Sequence, residues 1–168
     1  MQAYTVKILG IDPGLATVGL GLIEATSAYE FQALDWLTIE TAPGLTLAER
    51  VQEIHEDLQS YVLQHQPDMA VVEKLYFSVN KKTALDVAQA RGVILQVVQE
   101  CAIPILEPTP PQLKSCIAGD GAADKQQMQD MLMHILRLTE RPEPDDAADA
   151  LALAIYGAVQ GNRVQLLA

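Results

Sequence analysis

The chain reads as one α/β domain: a five-stranded mixed sheet, three antiparallel strands followed by parallel additions, with helices on both faces. Three observations lead there. The first forty residues hold three β-patterned runs separated only by turn-length connections. Beyond them, short apolar runs alternate with longer runs of helical period. No repeat, low-complexity tract or linker divides residues 1–168, a length that suits a single domain.

Taken in order, residues 6–11 are a buried strand that Asp12-Pro13-Gly14 breaks. Residues 18–23, rich in glycine, and residues 31–39, with alternating polarity, complete an antiparallel meander. Residues 46–64 carry Leu47, Val51, Ile54, Leu58 and Tyr61 or Val62 at spacings of three and four, which is an amphipathic helix. Thr46 and Glu49 suit a capping box at its start. Residues 69–72 form a short buried strand that delivers Glu73 at its end. A long helix over 83–101 is rich in small apolar residues on more than one face, as a central or interface helix would be. Residues 103–106 supply the fifth strand, and 110–117, 124–138 and 145–160 read as three further helices.

With 49% hydrophobic residues the chain can bury a sizeable core. No apolar run reaches the roughly 18–20 residues that a bilayer span requires. Met1 to Tyr4 leads straight into a strand pattern, so no secretory leader is expected, and the reading is a soluble, cytoplasmic protein. Cys101 and Cys116 lack metal-site spacing and read as buried free thiols in a reducing compartment. The net charge of -11 argues against a polyanionic partner, but that charge is unevenly spread. From Lys74 to Lys125 there are six basic and five acidic residues, while the remainder holds five basic and seventeen acidic. The middle of the chain is therefore the face for a polyanion.

Four carboxylates are the candidate site: Asp12, Glu73, Asp146 and Asp149. The first two stand at the ends of strands, where open α/β sheets bind ligands. Asp146 and Asp149 are three apart at the start of the last helix and share a face. Separately each has a plain explanation: a turn residue, a surface acid, a capping pair. Together they would repel unless divalent cations neutralised them. An oxygen-only ligand set suits Mg²⁺, with Mn²⁺ as substitute. Two ions about 3.5–4 Å apart are the usual arrangement for attack of water on a phosphodiester.

Six blocks, in order, resemble the RuvC family of Holliday junction resolvases: residues 8–14 (Ile-Leu-Gly-Ile-Asp-Pro-Gly) with the glycine-rich strand after them, 73–77 (Glu-Lys-Leu-Tyr-Phe), 89–92 (Gln-Ala-Arg-Gly), 112–114 (Gln-Leu-Lys), 123–126 (Ala-Asp-Lys-Gln) and 146–153 (Asp-Ala-Ala-Asp-Ala-Leu-Ala-Leu). The resemblance implies an RNase H-like fold, a homodimer, Mg²⁺ dependence and paired symmetric nicks in four-way DNA junctions that leave 5′-phosphate ends. It also implies partnership with the RuvA–RuvB branch-migration complex. By position, Asp12, Glu73, Asp146 and Asp149 match the family's catalytic, metal-binding acids, and Lys114 and Lys125 match residues that hold the DNA backbone. Tyr76 falls where the family has an aromatic that stacks on a base, a role Phe77 can share. Tyr76 and Phe77 ahead of Lys81 and Lys82 put aromatics beside cations on a loop, which suits unstacked bases flanked by phosphates. Arg91, in a largely apolar helix, calls for a partner acid and reads as support for the site or the dimer. That helix is the expected dimer element.

The chain departs from the family in its acidity. Asp120 and Asp124 flank Lys125, and Glu107 precedes Lys114, so junction binding is expected to be weak and strongly salt-sensitive. Three other readings remain: half of an actin-like ATPase or sugar kinase, a junction-binding protein that does not cut, and a nuclease of the same fold acting on RNA–DNA hybrids. The absence of a second, repeated subdomain argues against the first. All four acids being present argues against the second, and the aromatic-and-lysine loop argues against the third.

Overall fold

A computed structural model describes residues 5–27, 29–76 and 81–165, the side chains of residues 81–82 and 162–165 excepted. Three long strands open the chain: β1 (Val6–Asp12), β2 (Thr17–Ser27) and β3 (Glu30–Glu40). They are followed by α1 (Leu47–His65), β4 (Met69–Val72), α2 (Lys81–Glu100), β5 (Ile105–Leu106), α3 (Pro110–Ala118), α4 (Lys125–Leu136) and α5 (Asp145–Gln165). The strands lie in the order β3-β2-β1-β4-β5. β1 and β3 both pair antiparallel with β2, while β4 runs parallel to β1 and β5 parallel to β4. The expected mixed sheet is thus present, with its meander first and its parallel strands after.

Alternation along the strands sends successive side chains to opposite faces. Leu9, Ile11, Leu20, Leu22, Ala70 and Val72 face α1 and α2. Ile8, Ile23, Ala25 and Val71 face the layer made by α3, α4 and α5. Helices therefore cover both faces. Thr46 caps α1 through the expected box, its hydroxyl accepting from the Glu49 amide while the Glu49 carboxylate accepts from the Thr46 amide at 2.7 Å.

Several boundaries differ from the pattern. β5 has two residues rather than four, because Pro104 has no N–H to give the ladder; its carbonyl still accepts from Ala70 at 2.9 Å. α4 begins after Asp124, whose carboxylate caps it, and stops at Arg137 in the left-handed region. α5 runs five residues past the expected Gln160. α2 begins at Lys81, so Lys81 and Lys82 belong to a helix and not to a loop. Two cations in a first helical turn oppose the helix dipole, a cost that this helix start bears. Neither Cys101 nor Cys116 forms a disulfide among the described residues, and both are half-buried, not fully buried as expected. Among the described residues no helix is long and apolar enough to cross a membrane.

Candidate active site

β1 and β4 run in register, Gly10 beside Val71 and Ile11 beside Val72, so the next residues, Asp12 and Glu73, come side by side where this ladder ends. Gly10 and Val71 face α5, and two steps further along each strand the same parity turns Asp12 and Glu73 toward the N-terminus of α5. That helix lies unusually close to the sheet. A Cβ on Gly10 would stand 1.8 Å from the Ala150 carbonyl oxygen, and one on Gly19 would stand 2.0 Å from that of Asp146. Gly19 is the β2 partner of Asp12. The absence of two Cβ atoms therefore lets the first turn of α5 rest on the sheet, with its carboxylates against Asp12. The facing helix surface is correspondingly small: Ala147, Ala150 and Ala154 are fully buried.

Asp12, Glu73 and Asp149 line one cavity of about 280 Å³ together with Lys114 of α3 and Lys125 of α4. Pro110, Leu113, Met128, Ala152 and Leu153 form its apolar walls. Asp146 is not in this lining, but its charge is felt at both Asp12 and Asp149. Burial, and then the negative charges of Asp149, Glu73 and Asp146, push the Asp12 carboxyl up to about 8, with Lys125 opposing. Burial and Asp149 push Glu73 up to about 7, against the pull of Lys114. Burial raises Asp149 as well, with Asp146 and Asp145 adding to the rise and Lys125 working against it. The acids are thus crowded enough that protons substitute for missing positive charge.

The donor set fits a hard cation, because every candidate ligand is a carboxylate oxygen. Among the described residues, no group of three or more His, Cys, Asp or Glu side chains is arranged to hold an ion as it stands. Mg²⁺ commonly takes one or two carboxylates and completes its shell from water and substrate phosphate.

The basic residues divide. Lys114 lies in the cavity and also in a neighbouring one of about 350 Å³, which it shares with Glu73, Lys74 and Tyr76. Tyr76 is 66% exposed, so its ring face is available and its hydroxyl is not forced into an apolar setting. Lys125 reaches the acid cluster while its ammonium donates to Asp145 at 2.6 Å. Asp145, which stands outside the acid set, also accepts from Gln129 at 3.0 Å. Phe77 and the side chains of Lys81 and Lys82 lie outside the described residues. The acids that crowded the lysines in sequence are partly engaged elsewhere: Glu107 pairs with Arg91, Asp124 caps α4, and Asp120 accepts from the Ala122 amide. Sequence reasoning missed the glycine platform under α5, although glycines at alternate strand positions were its visible signal.

An open α/β sheet whose strand ends gather acids against a helix start, rimmed by lysines, is the architecture of an RNase H-like nuclease. Similarity to known proteins narrows that class. The family model described as crossover junction endodeoxyribonuclease RuvC matches residues 8–157, and the chain belongs to that family. A crossover junction endodeoxyribonuclease RuvC of Syntrophomonas wolfei is 46% identical over 149 residues, covering 89% of this chain and 86% of the relative. One of Caldicellulosiruptor saccharolyticus is 43% identical over 158 residues, covering 94% and 95%. Among solved structures, Thermus thermophilus RuvC in complex with a Holliday junction substrate superimposes with a TM-score of 0.88 at 31% identity, covering 95% of this chain and 96% of that one. A yeast mitochondrial Holliday junction resolvase, 13% identical, shares the fold with a TM-score of 0.67 over 95% of this chain and 82% of its own.

Proposed function

We propose that this chain resolves four-way DNA junctions by paired, symmetric, cation-dependent phosphodiester hydrolysis that leaves 5′-phosphate ends. The observation that carries the reading is the meeting of Asp12, Glu73 and Asp149 with Lys114 and Lys125 around one cavity. Asp12, Glu73, Asp146 and Asp149 would hold Mg²⁺, two ions per site, with Mn²⁺ able to replace it. Such ions supply a water of lowered pKa and neutralise charge on the leaving oxygen.

The chain's own side chains do the rest. Lys114 and Lys125 grip the backbone phosphates on either side of the acids and fix which phosphate enters. Leu113, Met128, Ala152 and Leu153 close the cavity floor and keep bulk water from the acids, which strengthens every charge interaction there. Burial and the neighbouring acids push the Asp12 carboxyl up to about 8, so to serve as a ligand it would have to release its proton. Tyr76, exposed beside Glu73 and Lys114, offers its ring to an unstacked base at the junction centre, with Phe77, Lys81 and Lys82 following along the chain. Paired symmetric nicks require two such sites, which supports a homodimer through α2. The family also supports a cytoplasmic partnership with the RuvA–RuvB complex.

The test is a nicking assay on a mobile synthetic four-way junction, a linear duplex and an RNA–DNA hybrid, each with Mg²⁺ or EDTA. Paired nicks in opposite strands of the junction, dependent on Mg²⁺ and sealed by ligase, are expected. Absence of cleavage on every junction sequence, or faster cutting of the hybrid, would overturn the reading.

A further inference from the structure

Glu73 sits one residue beyond the sheet. The ladder with β1 ends at Val72, and the ladder with β5 ends at Val71. Among the described residues no strand pairs the main chain of half-buried Glu73, and a carbonyl shielded from water without a donor is costly. Arg91 of α2 fills that gap: its Nε donates to the Glu73 carbonyl oxygen at 2.8 Å, and its terminal nitrogen donates to the Glu107 carboxylate. Only 15% of the Arg91 side chain is exposed. Beside it the Lys74 amide donates to the Pro108 carbonyl at 2.8 Å, so the segments leaving β4 and β5 are tied together where both ladders have ended.

We infer that Arg91 is the positioning residue of the acid site: its planar fork, braced by Glu107, fixes the backbone that aims the Glu73 carboxylate. Arg91 acts on the main chain and not on the carboxylate charge, since the cation that acts on Glu73 is Lys114. Only guanidinium supplies two donors at a fixed angle, so lysine cannot replace it here. The arrangement makes the placement of a candidate acid depend on where α2 lies. The inference rests on the reading of Glu73 as a member of the catalytic set.

The experiment uses the full chain and a cleavable four-way junction, with single-turnover rates at saturating protein and equilibrium binding measured in Ca²⁺. Arg91→Met is expected to slow cleavage about 10- to 100-fold, the usual loss when a ligand's supporting group is removed, with junction Kd within about twofold of wild type. Arg91→Lys should recover thermal stability and yet remain at least about tenfold slow, which a purely structural role would not produce. Hydrogen exchange at the Lys74 amide should quicken in both. Should Arg91→Met not fold, Arg91→Lys and Glu107→Gln decide: slow cleavage with unchanged Kd supports the inference, and rates within twofold of wild type in both overturn it. Glu73→Gln is the control. Its loss of cleavage beside an active Arg91→Met overturns the inference alone. Full activity of Glu73→Gln overturns the reading of the site and the inference with it.

Discussion

The two faces of the sheet are built on different rules. Toward α1 and α2 the sheet presents Leu9, Ile11, Leu20, Leu22 and Val72, which meet Ile54, Leu58, Ile94 and Val98 and hold the helices at an ordinary side-chain distance. Toward α5 it presents Gly10, Gly19 and Gly21, against which the helix main chain itself comes to rest. The first face gains its energy from buried apolar area and tolerates small changes of shape. At its three glycines the second has no side chains to adjust, so the start of α5 is set there by backbone against backbone. That is the face carrying the acids, and their spacing inherits its precision.

The contrast breaks most severely at Asp12. Asp12→Asn is expected to lower junction cleavage about a thousandfold, corresponding to about 4 kcal/mol of lost transition-state stabilisation. The same change should make the cation-free protein more stable. Folded Asp12 keeps its proton to about pH 8 where the ordinary value is 3.8, so stability falls as pH rises between those values and the full cost is present above them. Thermal unfolding in EDTA should therefore show the variant more stable at pH 8.5 and equal to wild type near pH 3.5. Mg²⁺ should close the gap by stabilising only the wild type. A change on the α1/α2 face has no route to this pairing of lost activity with gained stability.

Next in size is the helix seat. Gly10→Ala should cost about 3 kcal/mol in urea unfolding, because its Cβ would meet the main chain of Ala150 and Ala154, which no side-chain rotation can relieve. It should also slow cleavage by moving Asp149. Ile94→Val on the opposite face should cost about 1 kcal/mol and leave the rate per folded molecule unchanged. Equal rate effects from the two would erase the distinction between the faces.

The smallest effects concern the rim. Lys114→Met and Lys125→Met should each lower the slope of log junction affinity against log salt by about one, the signature of one lost phosphate contact. The Lys125 effect should be the smaller, since that ammonium already engages Asp145. A flat salt dependence in the wild type would contradict phosphate binding by these lysines.

Element order was fully legible because the β-patterned runs and helical periods are clean, and the capping box at Thr46 follows from local chemistry, whereas the one at Asp124 went unread. Errors fell where a local rule met a tertiary one. Pro104 shortened β5, and α2 begins on two lysines that the dipole disfavours. Asp12 and Glu73 were legible because strand ends show in the pattern. That Arg91 needs an acid followed from the cost of burying a charge, but nothing local could reveal that it also serves the Glu73 carbonyl. Glu107 seemed in sequence to crowd Lys114, and only the fold shows its charge committed to Arg91. The glycines of β1 and β2 announced a close approach without saying what approaches. Alternate glycines reveal a bare surface, and the helix that occupies it lies more than a hundred residues away.

The central claim is that strand-end and helix-end acids form one site, and a double-mutant cycle tests it directly. Single-turnover cleavage of a four-way junction would be measured for wild type, Asp12→Asn, Asp146→Asn and the double variant. Groups acting as a unit are grossly non-additive, so the double variant should be no slower than the slower single variant. Multiplying losses, or wild-type cleavage by Asp146→Asn, would separate the helix pair from the strand pair and contradict the account.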